Sequence, residues 1–181
     1  SNVCGNGIAQ SLAVTTQTVP VQPLLISGNS APCQGTTGLT YNVTNVAGVT
    51  YTWTVPADWA ITAGQGTNSI TVTAGIMAGN IDVVPSNLCG NGTAQSLAVT
   101  TQAVPAQPLL ISGNSAPCQG ITGLNYSVTN VTGVTYTWTV PAKSEVRAVE
   151  KTSRTRGTPE TKTKNIDVVP SNLCGNGTAQ S

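Results

Sequence analysis

Val49-Thr50-Tyr51-Thr52-Trp53-Thr54-Val55-Pro56 alternates large apolar residues with threonine and then stops at proline. A period of two with β-branched and aromatic residues specifies a strand with one buried face. Threonine on the other face suits a strand without adding charge. The same alternation occurs at Leu39, Tyr41 and Val43, and at Ile70 and Val72. Further strands are expected near 23–28, 59–63, 80–84 and 94–101, with Gly and Asn clusters between them. No segment has a helical period. About seven short strands in this span is the count of an immunoglobulin-like sandwich.

The octet returns unchanged as Val134 to Pro141, an offset of 85. Ser1-Asn2-Val3-Cys4-Gly5-Asn6-Gly7 returns with one change at 86–92 and again at 171–177, at the same offset. Residues 22–57 match 107–142 at all but four positions, and 80–96 is identical to 165–181. Two periods and a further 11 residues make the 181-residue chain, which reads as a section of a longer array. The expected division is 1–19 as the terminal strand of a preceding repeat, 20–104 as a complete repeat, and 105–181 as a second repeat lacking its last strand. The linkers, 15–23 and 100–108, carry paired prolines that favour an extended, stiff connection.

Composition narrows the chemistry. Charged residues make up 7% of the chain and histidine is absent, which excludes Ser-His-Asp and Cys-His catalysis and imidazole zinc sites. The net charge of +1 argues against a nucleic-acid partner. No apolar run is long enough for membrane insertion, and residues 1–20 lack the charged start and apolar stretch of a signal peptide. No catalytic residue, cofactor or metal site is expected. Asp58 and Asp82, the two acidic groups of the complete repeat, are expected in solvated loop or edge positions.

A repeat of this size has a marginal core, and a covalent staple would help it. The cysteines are Cys4, Cys33, Cys89, Cys118 and Cys174, with spacings that alternate between 29 and 56. One pairing joins Cys33 to Cys89 and Cys118 to Cys174, inside each repeat, and leaves Cys4 unpaired. The other joins Cys4 to Cys33 and Cys89 to Cys118, across the linkers. The first is preferred, because each folding unit then carries its own bridge. Either implies an oxidising compartment and hence export.

Four elements in order carry a resemblance: Cys33-Gln34-Gly35 before Gly38-Leu39-Thr40-Tyr41; the Tyr51–Trp53 strand; Gly64-Gln65-Gly66-Thr67-Asn68-Ser69-Ile70-Thr71-Val72; and Asn87-Leu88-Cys89-Gly90. Together they resemble the PKD-like, immunoglobulin-like repeats of large secreted surface proteins of Bacteroidetes, including gliding-motility adhesins. The resemblance implies a tandem β-sandwich, export through the type IX pathway, and a spacer or adhesive role with no catalytic residues. Tyr51, Trp53, Tyr136 and Trp138 are then core aromatics.

Residues 143–164 break the pattern. They align with 58–79 without a gap yet share only Ala148, Thr152 and Thr158. All seven basic residues lie here: Lys143, Arg147, Lys151, Arg154, Arg156, Lys162 and Lys164. With Glu145, Glu150 and Glu160 the window carries +4, against −3 for the rest. Three readings stand open: a basic contact loop for an anionic polymer, a solvated loop, or an out-of-frame stretch. Thr155 and Gly157 replace Ile70 and Val72, so the second repeat is expected to be the less stable.

The leading expectation is a non-catalytic extracellular module of an adhesin or stalk. Its partners would be neighbouring repeats, identical subunits or surface polysaccharide. A second is a filament subunit assembled by head-to-tail strand exchange. A third is an accessory carbohydrate-binding module of a secreted enzyme.

Overall fold

A computed structural model describes residue 8 and residues 10–140, 154–157 and 165–181. The protein is all-β, a tandem pair of immunoglobulin-like units, and no helix occurs among the described residues, so none is long and apolar enough to cross a membrane.

In the first unit, β1 (Leu39–Asn42), β4 (Ser69–Thr73) and β3 (Ala60–Ala63) form one antiparallel sheet in the order β1-β4-β3. The expected strand near 23–28 reduces to a single bridge between Ser27 and Asn42 at its edge. The other sheet centres on β5 (Gly79–Asn87), which pairs with β2 (Thr50–Thr54) on one side. On its other side β5 pairs with both β7 (Gln95–Val99) and the two-residue β6 (Gly90–Asn91).

The apolar members of each alternation meet between the sheets. Tyr41, Tyr51, Trp53, Ile70, Val72, Ile81, Val83 and Val99 are all buried there. Their removal from water stabilises the fold by about 1.5–3 kcal/mol per large side chain. Polar tips find backbone partners. The Trp53 indole N–H donates to the Thr67 carbonyl at 2.8 Å, and the Tyr41 hydroxyl donates to the Asn29 carbonyl at 2.6 Å. The Tyr51 hydroxyl accepts from Val46 N and donates to the Thr44 carbonyl, closing the 44–50 turn. Gly28 lies directly under the Tyr41 ring, where a Cβ would overlap the ring carbons, so no larger residue fits.

The second unit repeats this plan. β8 (Leu124–Ser127) pairs with β10 (Arg154–Gly157), and β9 (Thr135–Thr139) pairs with β11 (Asp167–Asn172), which turns into β12 (Gly175–Asn176). Thr155 stands opposite Tyr126 in the ladder, the register of Ile70 on Tyr41. The strand therefore survives the loss of its apolar residues, because ladder hydrogen bonds come from the backbone. Burial is thinner. Trp138 is only half-buried, whereas Trp53 is 1% exposed. Tyr136 keeps the same two hydrogen bonds as Tyr51, to Val131 N and the Thr129 carbonyl.

Two further expectations change. Residues 10–19, expected as part of a terminal strand, form no strand; 95–99, the equivalent of 10–14, is a strand because β5 lies beside it. The expected linker over 100–108 begins as sheet-like structure. Gln102 bridges Cys33 in parallel, and Thr100 N donates to the Ser30 carbonyl at 2.8 Å.

Candidate interaction site at the junction between repeats

Cys33 is placed by its neighbours. Gln34 N donates to the Gln102 carbonyl and Gln102 N donates to the Pro32 carbonyl, both at 2.9 Å. These two bonds fix Cys33 beside the segment that leaves the first repeat.

Cys174 is brought to the same segment by the second repeat. It sits in the tight turn between β11 and β12, where Asn172 Oδ1 accepts from Cys174 N at 2.8 Å. The Asn172 amide then donates to the Ala103 carbonyl at 2.8 Å. Gly177 packs so closely on the Pro105 carbonyl that a Cβ would collide with it. Gln107 Nε2 donates to the Ala179 carbonyl at 2.7 Å. Both cysteines are thus held at the 102–105 segment, and they are bonded: Cys33 and Cys174 form a disulfide with Cα atoms 5.4 Å apart, within the range a disulfide spans.

This corrects the expected pairing. Neither Cys33–Cys89 with Cys118–Cys174 nor Cys4–Cys33 with Cys89–Cys118 occurs; Cys89 and Cys118 are exposed free thiols, and Cys4 lies outside the described residues. The reason is the direction of the strands. The turn bearing Cys89 lies at the entry of its repeat, where its thiol donates to the Gln17 carbonyl at 3.3 Å. Cys33 lies at the exit, beside Gln102. Within one repeat the two cysteines face opposite ends of the sandwich. Across the linker they converge.

The entry of the first repeat shows the same construction with different numbers. Asn87 Nδ2 donates to the Thr18 carbonyl at 2.7 Å, Asn87 Oδ1 accepts from Cys89 N at 2.8 Å, and Gln22 Nε2 donates to the Ala94 carbonyl at 2.6 Å.

The other singled-out residues disperse. Tyr51, Trp53 and Tyr136 are buried, and Trp138 is half-buried. Arg154 and Arg156 lie on β10, while Lys143, Arg147, Lys151, Lys162 and Lys164 lie outside the described residues. Asp58 works as a clamp, since its carboxylate accepts from Ile76 N and Met77 N and pins the 75–77 turn. Asp82 accepts from the Ser96 hydroxyl across β5 and β7. Burial pushes the Tyr41 phenol above its usual pKa. Sequence reasoning missed the junction. The available signal was a cysteine separation of 141 residues, which is one period plus 56.

Two antiparallel sandwiches in tandem, tied at their linker, define the class as immunoglobulin-like repeat proteins. The PKD-like domain model matches residues 19–99 and 104–181, and the chain belongs to that family. Among curated proteins none matches the sequence. Solved structures with a similar fold include an I-band fragment of titin, at 14% identity, covering 92% of this chain and 64% of that one, with a TM-score of 0.45. The Escherichia coli adhesin FdeC is 14% identical over 91% of this chain and 62% of its own, with a TM-score of 0.41. A C-terminal fragment of intimin, solved with the intimin-binding domain of its translocated receptor, is 10% identical over 91% of this chain and 64% of its own, with a TM-score of 0.45. The chain spans less than two thirds of the length of each.

Proposed function

We propose that the chain is a non-catalytic, load-bearing spacer of a large extracellular surface protein, an adhesin or stalk whose binding tip it holds away from the cell. The observation that carries this reading is the junction. A flexible tether would leave its linker backbone unpaired, whereas Thr100 and Gln102 hydrogen-bond to the repeat before them and Ala103 to the turn of the repeat after it. The Cys33–Cys174 bridge adds a covalent tie, which persists in an oxidising, extracellular setting. Membership of the PKD-like family and the resemblance to gliding-motility adhesins of Bacteroidetes support the same assignment. The basic residues of 143–164 would contact anionic polysaccharide along the stalk.

Surface labelling tests this. Antibody raised against the chain should stain intact cells of the source organism, and deletion of the repeats in frame should weaken attachment to a surface while leaving growth unchanged. Staining that requires permeabilised cells overturns the reading.

A further inference from the structure

Cys89 and Cys118 are the two exposed free thiols among the described residues, and each is one half of a bridge already formed elsewhere in the molecule. Cys118 is the repeat equivalent of Cys33, and Cys89 that of Cys174, each displaced by one full period. The equivalence is structural as well. Asn87 and Asn172 hold Thr18 and Ala103 in the same way, and Cys89 rests on Gln17, the counterpart of Gln102, which lies beside Cys33. The place beside Gln17 where a cysteine of the Cys33 type would stand is thus already framed.

We infer that Cys89 and Cys118 are the open ends of an inter-repeat disulfide ladder, in which Cys118 bonds to the Cys89 position of a following repeat of this sequence. A second copy of this chain can supply that repeat. The inference rests on the junction geometry and not on the adhesin reading.

The chemistry needs a two-electron oxidant, here a small-molecule disulfide such as oxidised glutathione. The Cys118 thiolate attacks one glutathione sulfur and releases one glutathione. The Cys89 thiolate of the next copy attacks the Cys118 sulfur of the mixed disulfide and releases the second. Two protein thiols and one glutathione disulfide give one protein disulfide and two glutathiones.

The consequence is mechanical. Cys118 lies inside the loop closed by Cys33 and Cys174, so the next bridge starts before the previous one ends. Successive covalent loops overlap, and an array built this way cannot be drawn out by unfolding one repeat at a time.

The experiment uses the full chain carrying Cys4→Ser, since Cys4 occupies the same repeat position as Cys89. The oxidised protein is compared with its Cys89→Ser and Cys118→Ser derivatives, each alone and mixed in equal amounts, by non-reducing electrophoresis and peptide mapping. The parent should form a ladder cross-linked through Cys118 and Cys89. The mixture should give at least tenfold more dimer than either derivative alone. The Cys33–Cys174 peptide in every sample verifies the fold. Homotypic dimers in equal yield, a Cys89–Cys118 bridge within one chain, within-repeat Cys33–Cys89 pairing, or thiols that stay unlinked would each overturn the inference.

Discussion

Gln65 holds the Trp53 backbone at both polar groups: its Oε1 accepts from Trp53 N at 2.9 Å and its Nε2 donates to the Trp53 carbonyl at 2.8 Å. The side-chain amide stands in for a neighbouring strand at the open edge of β2. Two residues earlier the backbone of Gly66 serves the same purpose for Tyr51, with bonds of 3.1 and 3.2 Å. The edge that would otherwise pair with another chain is thereby closed.

Gln65→Glu should break this arrangement, because a carboxylate can accept from Trp53 N but cannot donate to its carbonyl. The expected loss is about 1–3 kcal/mol, the usual effect of leaving a partly buried polar group unpaired. Urea unfolding followed by tryptophan fluorescence would read it. Glu150 stands at the equivalent position of the second repeat.

The two repeats should not unfold together. Trp53→Ala is expected to remove about 3–5 kcal/mol from the first repeat, the usual effect of emptying a buried tryptophan site. Trp138→Ala should remove clearly less, since Trp138 is only half-buried. Hydrogen exchange resolved by peptide should show 124–139 exchanging sooner than 39–54. Equal protection of both would contradict this.

Stability should fall at high pH through Tyr41. Burial raises its folded-state pKa above the ordinary 10.0 of a tyrosine. A raised pKa means the unfolded chain releases the proton first, so the contribution is intact below about pH 10 and is lost as the pH climbs towards the folded value. Urea midpoints at pH 9 and pH 11 should differ more for the parent chain than for Tyr41→Phe.

Pulling the chain by its ends should reveal the bridge directly. With Cys33–Cys174 intact, the residues between the cysteines, 141 positions apart, cannot be extended. At ~3.6 Å per residue this withholds roughly 500 Å of contour length, which reducing agent should restore. Full extension of the oxidised chain would exclude a load-bearing bridge.

Most of the sandwich was legible because it rests on local alternation. Thr50 to Thr54 shows which side chains point inward, and the copy at 135–139 shows how often the pattern recurs. The β10 strand was less legible. Its apolar signal is gone, yet backbone pairing with β8 retains the register set by the flanking strands. Gln65 and Asp58 were unreadable as clamps, because a polar side chain in a loop has no periodicity to report its partner.

The sequence by itself determined the fold class, the repeat and its offset, and the inward aromatics, all of which follow from periodicity along the chain. Only the tertiary structure decided the cysteine pairing. Spacings of 29 and 56 are compatible with several bridges, and distance along the chain says nothing about which end of a sandwich a turn occupies. Strand direction sends Cys89 back to the entry of its repeat and Cys33 forward to the exit, so the sulfur that meets Cys33 belongs to the next repeat, at Cys174.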